Sequence, residues 1–176
     1  TALWPNLTTL NCWRGGSAGY FVDRLPDAMG AKLPVREVGI TASEGYFAVP
    51  MGADWGGGAL WLLGHLLEFI GDDGKPRWAW ELEQGEKVRL VVSTEAGLYR
   101  YDLQDTLEVL GRCENTPVVR FVGKSGRYLN ATGEKVAEDQ VSEAVRRAAA
   151  ACGLTPVGFT ARTRMAAVPV IELAVE

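Results

Sequence analysis

The stretch from Leu60 to Val122 sets the tightest limit on what this chain can fold into. Short apolar runs follow one another there, separated by turn residues and with almost no helix signal. Leu60 to Leu63, Leu66 to Ile70, Lys87 to Ser93, Leu98 to Tyr101, Thr106 to Leu110 and Val118 to Val122 each have the length and composition of strands. The clearest turn among them is Gly71-Asp72-Asp73-Gly74-Lys75-Pro76, built from residues that accept φ > 0 or bond their own backbone. The expectation is a small antiparallel or barrel-like subdomain over residues 60–123.

The flanks read differently. Leu7 to Cys12 is a short apolar strand candidate that runs into the glycine turn Trp13-Arg14-Gly15-Gly16-Ser17, where Ser17 is placed to cap a helix. That helix carries Tyr20, Phe21 and Leu25, is disturbed by Pro26 and finishes at Gly30; Val35 to Thr41 and Tyr46 to Val49 are the next strands. Strand, turn, helix and strand in that order is the rhythm of a parallel α/β layer over residues 1–59. Helical character returns at Ala137 to Cys152, with Val141, Ala144, Val145, Ala148 and Cys152 as an apolar stripe, acids in the first turn and Gly153 as the stop. Strand candidates Val157 to Ala161 and Val168 to Val175 follow. The fold class expected is α/β plus α+β, with a break near Lys124.

Composition excludes several partners. With 176 residues, 47% hydrophobic and 23% charged, the chain is globular and fills one domain or one and a fraction. A net charge of −4 gives no long basic face and argues against a nucleic acid polymer. Cys12, Cys113 and Cys152 are odd in number and share no metal-ligand spacing, so they read as small buried residues in a reducing, cytoplasmic setting. The single histidine, His65, cannot by itself supply a multi-His metal site, and it reads as a hydrogen-bonded strand residue. The longest apolar run, Ala59 to Ile70, is interrupted by Gly64, His65 and Glu68, and is too short and polar for a bilayer span. The chain starts without Met and ends on an alternating Ile171 to Glu176, as an excised piece of a larger protein would.

Gly97 to Val141 carries the residues that suit a nucleotide. Asp105 follows the Tyr99-Arg100-Tyr101 run, where a carboxylate is able to accept both hydroxyls of a ribose; a turn Asp bonding its own backbone is the alternative. Glu44, after Thr41-Ala42-Ser43 and before Gly45, suits Mg²⁺ beside phosphates, or equally an ordinary strand-ending turn. Lys135, in Gly133-Glu134-Lys135 just before a helix, offers a phosphate a point charge, though surface lysines are common there. Gly56-Gly57-Gly58 lacks the Lys-Ser/Thr of a phosphate loop and reads as a flexible connection. Arg100 and Lys124 read as solvated charges.

In order along the chain, Leu3-Trp4-Pro5-Asn6-Leu7 with Cys12-Trp13, Ala42-Ser43-Glu44-Gly45 and Leu66 to Ile70 resemble successive blocks of one family. Gly97-Leu98-Tyr99-Arg100-Tyr101, Asp105, Phe121-Val122-Gly123 and Leu129-Asn130 through Lys135 continue the run. That family is the Gretchen Hagen acyl acid amido synthetases, the auxin-responsive branch of the adenylate-forming enzymes. The resemblance implies that a carboxylic acid is adenylated with ATP and Mg²⁺ and that the acyl group passes to an amino acid amine. It implies nucleotide-binding roles for Thr41, Ala42, Ser43, Glu44, Tyr101, Asp105 and Lys135. Glu44 would hold the metal, Lys135 and Glu44 would serve catalysis, and Lys124 would be the hinge.

The chain departs from the family pattern in places. Ile40 stands where many relatives have Tyr, so an adenine needs another aromatic, such as Tyr46, as its face. Gln104 replaces the usual Gly before the ribose acid, and Lys124 replaces the usual hinge Arg. The family's Ser/Thr/Gly-rich phosphate loop is expected upstream of Thr1. A non-catalytic nucleotide-binding module, and an acyl-adenylating ligase with a thiol acceptor, are the alternative functions.

Overall fold

The computed structural model describes residues 4–22, 24–30, 32–52, 56–126, 128–129, 136–164 and 170–176, without the side chains of Ser17, Tyr20 and Tyr128. The proposed caps and apolar contacts of Ser17 and Tyr20, and the Gly133-Glu134-Lys135 loop, therefore lie outside the described residues. The chain divides into two compact units, Thr1–Ser125 and Gly126–Glu176.

In the first unit, β1 (Leu10–Asn11) pairs in parallel with β2 (Val35–Arg36), and between them lie the one-turn helices α1 (Gly19–Val22) and α2 (Leu25–Ala28). The parallel α/β layer expected here is reduced to this two-residue ladder, since Pro26 and the flanking glycines leave no room for a longer helix. The rest of the unit is an antiparallel sheet. Its strands are β3 (Ile40–Ala42), β4 (Gly45–Pro50), β5 (Gly58–Leu60), β6 (Leu66–Ile70), β7 (Pro76–Arg77), β8 (Lys87–Ser93), β9 (Tyr101–Cys113) and β10 (Thr116–Lys124). Among the described residues they run in the order β3-β4-β5-β10-β9-β8-β6-β7.

Alternation makes this sheet one-sided. Along β9, Leu103, Asp105, Leu107 and Val109 are buried while Tyr101, Asp102 and Gln104 are exposed. Phe47, Phe69, Leu90, Leu107 and Val92 are fully enclosed and join Val88, Val109 and Val119 in one apolar cluster. Each such side chain contributes about 1.5–3 kcal/mol. The β5 edge is seated closely, because a Cβ on Gly57 would stand 2.3 Å from the Val119 carbonyl and one on Gly58 would stand 2.6 Å from that of Val49. Gly57 and Gly58 are thus packed backbone, not a flexible connection.

Several sequence expectations shift. The Val35 to Thr41 strand breaks at residues 37–39, where Gly39 adopts φ 93°. Leu60 ends its strand, and residues 62–64 turn instead of continuing it. Residues 94–100 form a turn with Gly97 at φ 101°, and Leu98 to Tyr101 is not a strand of its own. His65 sits at a bend before β6 against the ring of Phe47, and its buried Nδ1 has no hydrogen-bond partner among the described residues. Cys12 and Cys113 are half-buried and Cys152 is exposed, all as free thiols.

The second unit contains β11 (Tyr128–Leu129) paired with β12 (Val136–Ala137), then α3 (Glu138–Ala151), and the hairpin of β13 (Phe159–Arg164) with β14 (Val170–Val175). The buried face of α3 is Ser142, Val145 and Ala149; Ala144, Ala148 and Cys152 are exposed, so the stripe is rotated from the expected one. An alanine-rich helix signals its inner face poorly, and Ser142 is tolerated inside because its hydroxyl donates to the Glu138 carbonyl at 2.9 Å.

Helix α3 stops as its sequence dictates. The Leu154 amide donates to the Ala149 carbonyl at 2.9 Å and the Gly153 amide to that of Ala150 at 3.2 Å, with Gly153 at φ 65°. Gly153→Ala is expected to destabilise the chain by about 1 kcal/mol, because a Cβ is disfavoured in the left-handed region. The denaturant midpoint checks it.

Candidate functional site

Asp105 is a carboxylate in a row of core residues. The sequence placed it after a strand, but it lies inside β9, on the same buried face as Leu103, Leu107 and Val109, and is only 6% exposed. Two irregularities set it there. On the β8 side Arg89 pairs with Thr106 and Val91 with Asp102, so Leu90 alone faces Leu103, Gln104 and Asp105. On the β10 side Leu107 pairs with Phe121 and Thr106 with Gly123, leaving Val122 as an extra residue. Bulges of this kind bend a strand and re-aim its side chains.

Gln104, at φ 58°, occupies the left-handed conformation that a glycine adopts without penalty. Its amide donates to Asp102 Oδ1 at 2.8 Å, and its carbonyl accepts from the Ser125 amide at 2.6 Å.

Lys124 is the cross-strand neighbour of Asp105, and its Nζ stands 2.5 Å from Asp105 Oδ1. The ammonium directs its hydrogen bond to the Leu103 carbonyl at 3.0 Å, whereas Oδ1 accepts no well-aligned hydrogen bond among the described residues. The contact is thus an ion pair without the geometry of a hydrogen bond. A buried carboxylate costs several kcal/mol unless paired and fully hydrogen-bonded, and a half-exposed lysine offsets only part of that. Arg100 is also paired: its Nε lies 3.0 Å from the buried Glu68, which raises the guanidinium pKa.

Asp105 and Lys124 open onto a cavity of about 280 Å³, with Thr41 and Ala42 from β3. Trp13, Gly15, Ala18, Gly39, Ile40 and Phe121 complete the lining. Such a volume is at the small end for ligand pockets and suits a nucleoside-sized group. The aromatic faces that Ile40 lacks come from Trp13 and Phe121. Tyr46 does not line the cavity; its hydroxyl donates to the Val38 carbonyl at 3.2 Å.

The remaining sequence candidates are placed elsewhere. Ser43 (exposed) and Glu44 (half-buried) form the turn between β3 and β4, directly after the cavity-lining Ala42 but outside the lining. Tyr101 opens β9, 44% exposed, and is not part of the lining. Lys135 lies outside the described residues. No group of three or more His, Cys, Asp or Glu gathers as a metal site among the described residues. No helix among them is long and apolar enough to cross a membrane.

Residues 62–124, which contain β6 to β10, Asp105 and Lys124, match the family model described as the GH3 family central domain. Over a longer span the chain is similar to GH3 proteins named as amido synthetases. It is 26% identical over 164 residues to indole-3-acetic acid-amido synthetase GH3.4 of Arabidopsis thaliana, covering 84% of this chain and 27% of the relative. It is 34% identical over 110 residues to jasmonoyl–L-amino acid synthetase JAR6 of Nicotiana attenuata, covering 61% of this chain and 19% of that protein.

Among solved structures, AtGH3.15 acyl acid amido synthetase in complex with 2,4-DB superposes with a TM-score of 0.83 at 25% identity. The match covers 98% of this chain and 32% of that one. The fold is therefore that of a GH3 acyl acid amido synthetase over this span, mixed α/β with a large antiparallel sheet. The chain spans less than a third of the length of these relatives.

Proposed function

We propose that this chain is the central-to-late part of an ATP-dependent acyl acid amido synthetase. Residues 1–123 would be the late part of the large adenylation domain, and 124–176 the start of the small carboxyl-terminal domain after a hinge at Lys124. Asp105 carries this reading: a carboxylate stands in a row of core side chains, at the wall of a cavity with aromatic faces. Ribose hydroxyls are donors that a carboxylate at a cavity wall accepts, and Trp13 and Phe121 offer apolar faces to a purine.

The chemistry is the one that the family resemblance implies. A substrate carboxylate attacks the α-phosphorus of ATP, forming the acyl–O–P bond and expelling pyrophosphate. The amino acid amine then attacks the acyl carbon, and AMP leaves as the amide forms. Asp105 holds the ribose, Lys124 balances the buried charge, and Thr41 and Ala42 border the nucleotide. For Mg²⁺, Glu44 with the hydroxyls of Thr41 and Ser43 is the set this chain would offer; a carboxylate plus phosphate oxygens suffices for that ion, which would neutralise phosphoryl charge. Tyr101 and Lys135 keep their roles on the resemblance alone.

The test is ATP–pyrophosphate exchange by the full-length protein across a panel of carboxylic acids, followed by product analysis with amino acids and with coenzyme A. Acid-dependent exchange and an amide product are expected. AMP binding without any exchange would make the protein a nucleotide-binding module, and a thioester product would make it a thiol ligase.

A further inference from the structure

Glu37 is a buried carboxylate that this chemistry leaves unused. It is 8% exposed and lies where the expected Val35 to Thr41 strand breaks. Its Oε1 accepts the amides of Val38 at 3.0 Å and Gly39 at 3.1 Å. Its Oε2 accepts the amide of Arg14, distant in sequence, at 2.9 Å. One carboxylate thus ties the Trp13-Arg14-Gly15 turn to the residues leading into β3.

Both tied segments line the cavity: Trp13 and Gly15 from the turn, and Gly39, Ile40 and Thr41 from the run into β3. The position of Gly39 is constrained as well. It holds φ 93°, and a Cβ there would stand 2.2 Å from the Ala48 carbonyl. The Cys12 amide donates to the Arg36 carbonyl at 2.9 Å, and the interaction of Glu37 with the Arg14 amide carries that attachment two residues further, into the turn beside the residues that lead to β3.

We infer that Glu37 is a positioning residue for the nucleotide site, holding the Trp13 wall in register with β3 so that the cavity keeps its width. This rests on the nucleotide reading above. A carboxylate is required because both of its oxygens must accept; in Glu37→Gln one of them becomes an amide nitrogen that faces an N–H donor. Charge-assisted hydrogen bonds of this kind are about twice as strong as neutral ones.

The experiment compares the full-length wild type with Glu37→Gln and Glu37→Ala in pyrophosphate exchange, with Asp105→Ala alongside. The expected result is a KM for ATP raised about tenfold in Glu37→Gln and further in Glu37→Ala. The kcat should stay within about twofold and the KM for the acid should be unchanged. A KM for ATP that does not move, or equal loss in every kinetic parameter, overturns the assignment. If wild type neither exchanges pyrophosphate nor binds nucleotide, the functional reading fails and this inference with it; a silent Glu37→Gln beside a damaged Asp105→Ala defeats the inference alone. Should the variants fail to fold, hydrogen exchange of the wild type decides. Slow exchange at the Arg14 amide is expected, and exchange at the rate of an open loop overturns the clamp.

Discussion

Asp105→Ala in the full-length protein is expected to weaken AMP and ATP binding about 30- to 300-fold. That is the loss of about 2–3.5 kcal/mol from two charge-assisted hydrogen bonds to a ribose. Calorimetry with AMP and pyrophosphate exchange at varied ATP measure it. Stability should move the other way. Asp105 lies among Leu103, Leu107 and Val109 with one half-exposed cation for company, so Asp105→Leu continues an apolar row. Replacing a buried ion pair with packed hydrocarbon is often neutral or stabilising by about 1–4 kcal/mol. Lys124→Ala, by contrast, strands the carboxylate and should destabilise by about 1–3 kcal/mol.

The opposite signs separate function from architecture. A carboxylate that served only the fold would lose stability on replacement by Leu and leave nucleotide affinity untouched. Chemical denaturation of Asp105→Leu beside its AMP isotherm therefore distinguishes the two roles, and lost stability with unchanged affinity would remove Asp105 from the site.

The parts of the fold legible in the sequence were those whose local chemistry repeats. β6 and β8 coincide with the runs Leu66–Ile70 and Lys87–Ser93, since alternating or continuous β-branched and apolar residues leave little choice. The span of α3 was readable from its first-turn acids and from Gly153, whereas its inner face was not, because Ala signals neither inside nor outside. Long-range pairing was invisible. Asp105 resembles a turn residue in sequence because Gln104 and Asp102 around it are polar, and only the pairing with β8 and β10 shows the strand continuing through them. Trp13, Phe121 and Glu37 are far apart along the chain and gave no joint signal. The break of β2 from β3 falls at Glu37 to Gly39, where a charge and a glycine interrupt the apolar positions Val35, Val38 and Ile40.

A single methyl group at Gly15 should damage both the site and the fold around it. A Cβ built there would lie 2.3 Å from the Phe121 carbonyl oxygen, 3.2 Å from its carbon and 3.3 Å from its Cβ. The obstacle is the backbone of β10, paired with β9 on one side, so it cannot swing aside like the tip of a side chain. Relief must come from lifting the Trp13 turn, which strains the Glu37 interaction with the Arg14 amide and displaces two cavity walls together. Gly15→Ala is expected to cost about 2–3 kcal/mol, the upper range for forcing extra atoms into packed structure. It should also lower the melting temperature of the first unit by roughly 6–12 °C and weaken AMP binding more than tenfold. Gly123→Ala is the matched control, on the same strand two residues beyond Phe121, where an added Cβ meets nothing within 4 Å. That variant should stay within about 0.5 kcal/mol of wild type. Equal melting temperatures for the two variants would mean that the turn yields freely and that its close seat on Phe121 does not hold the cavity open.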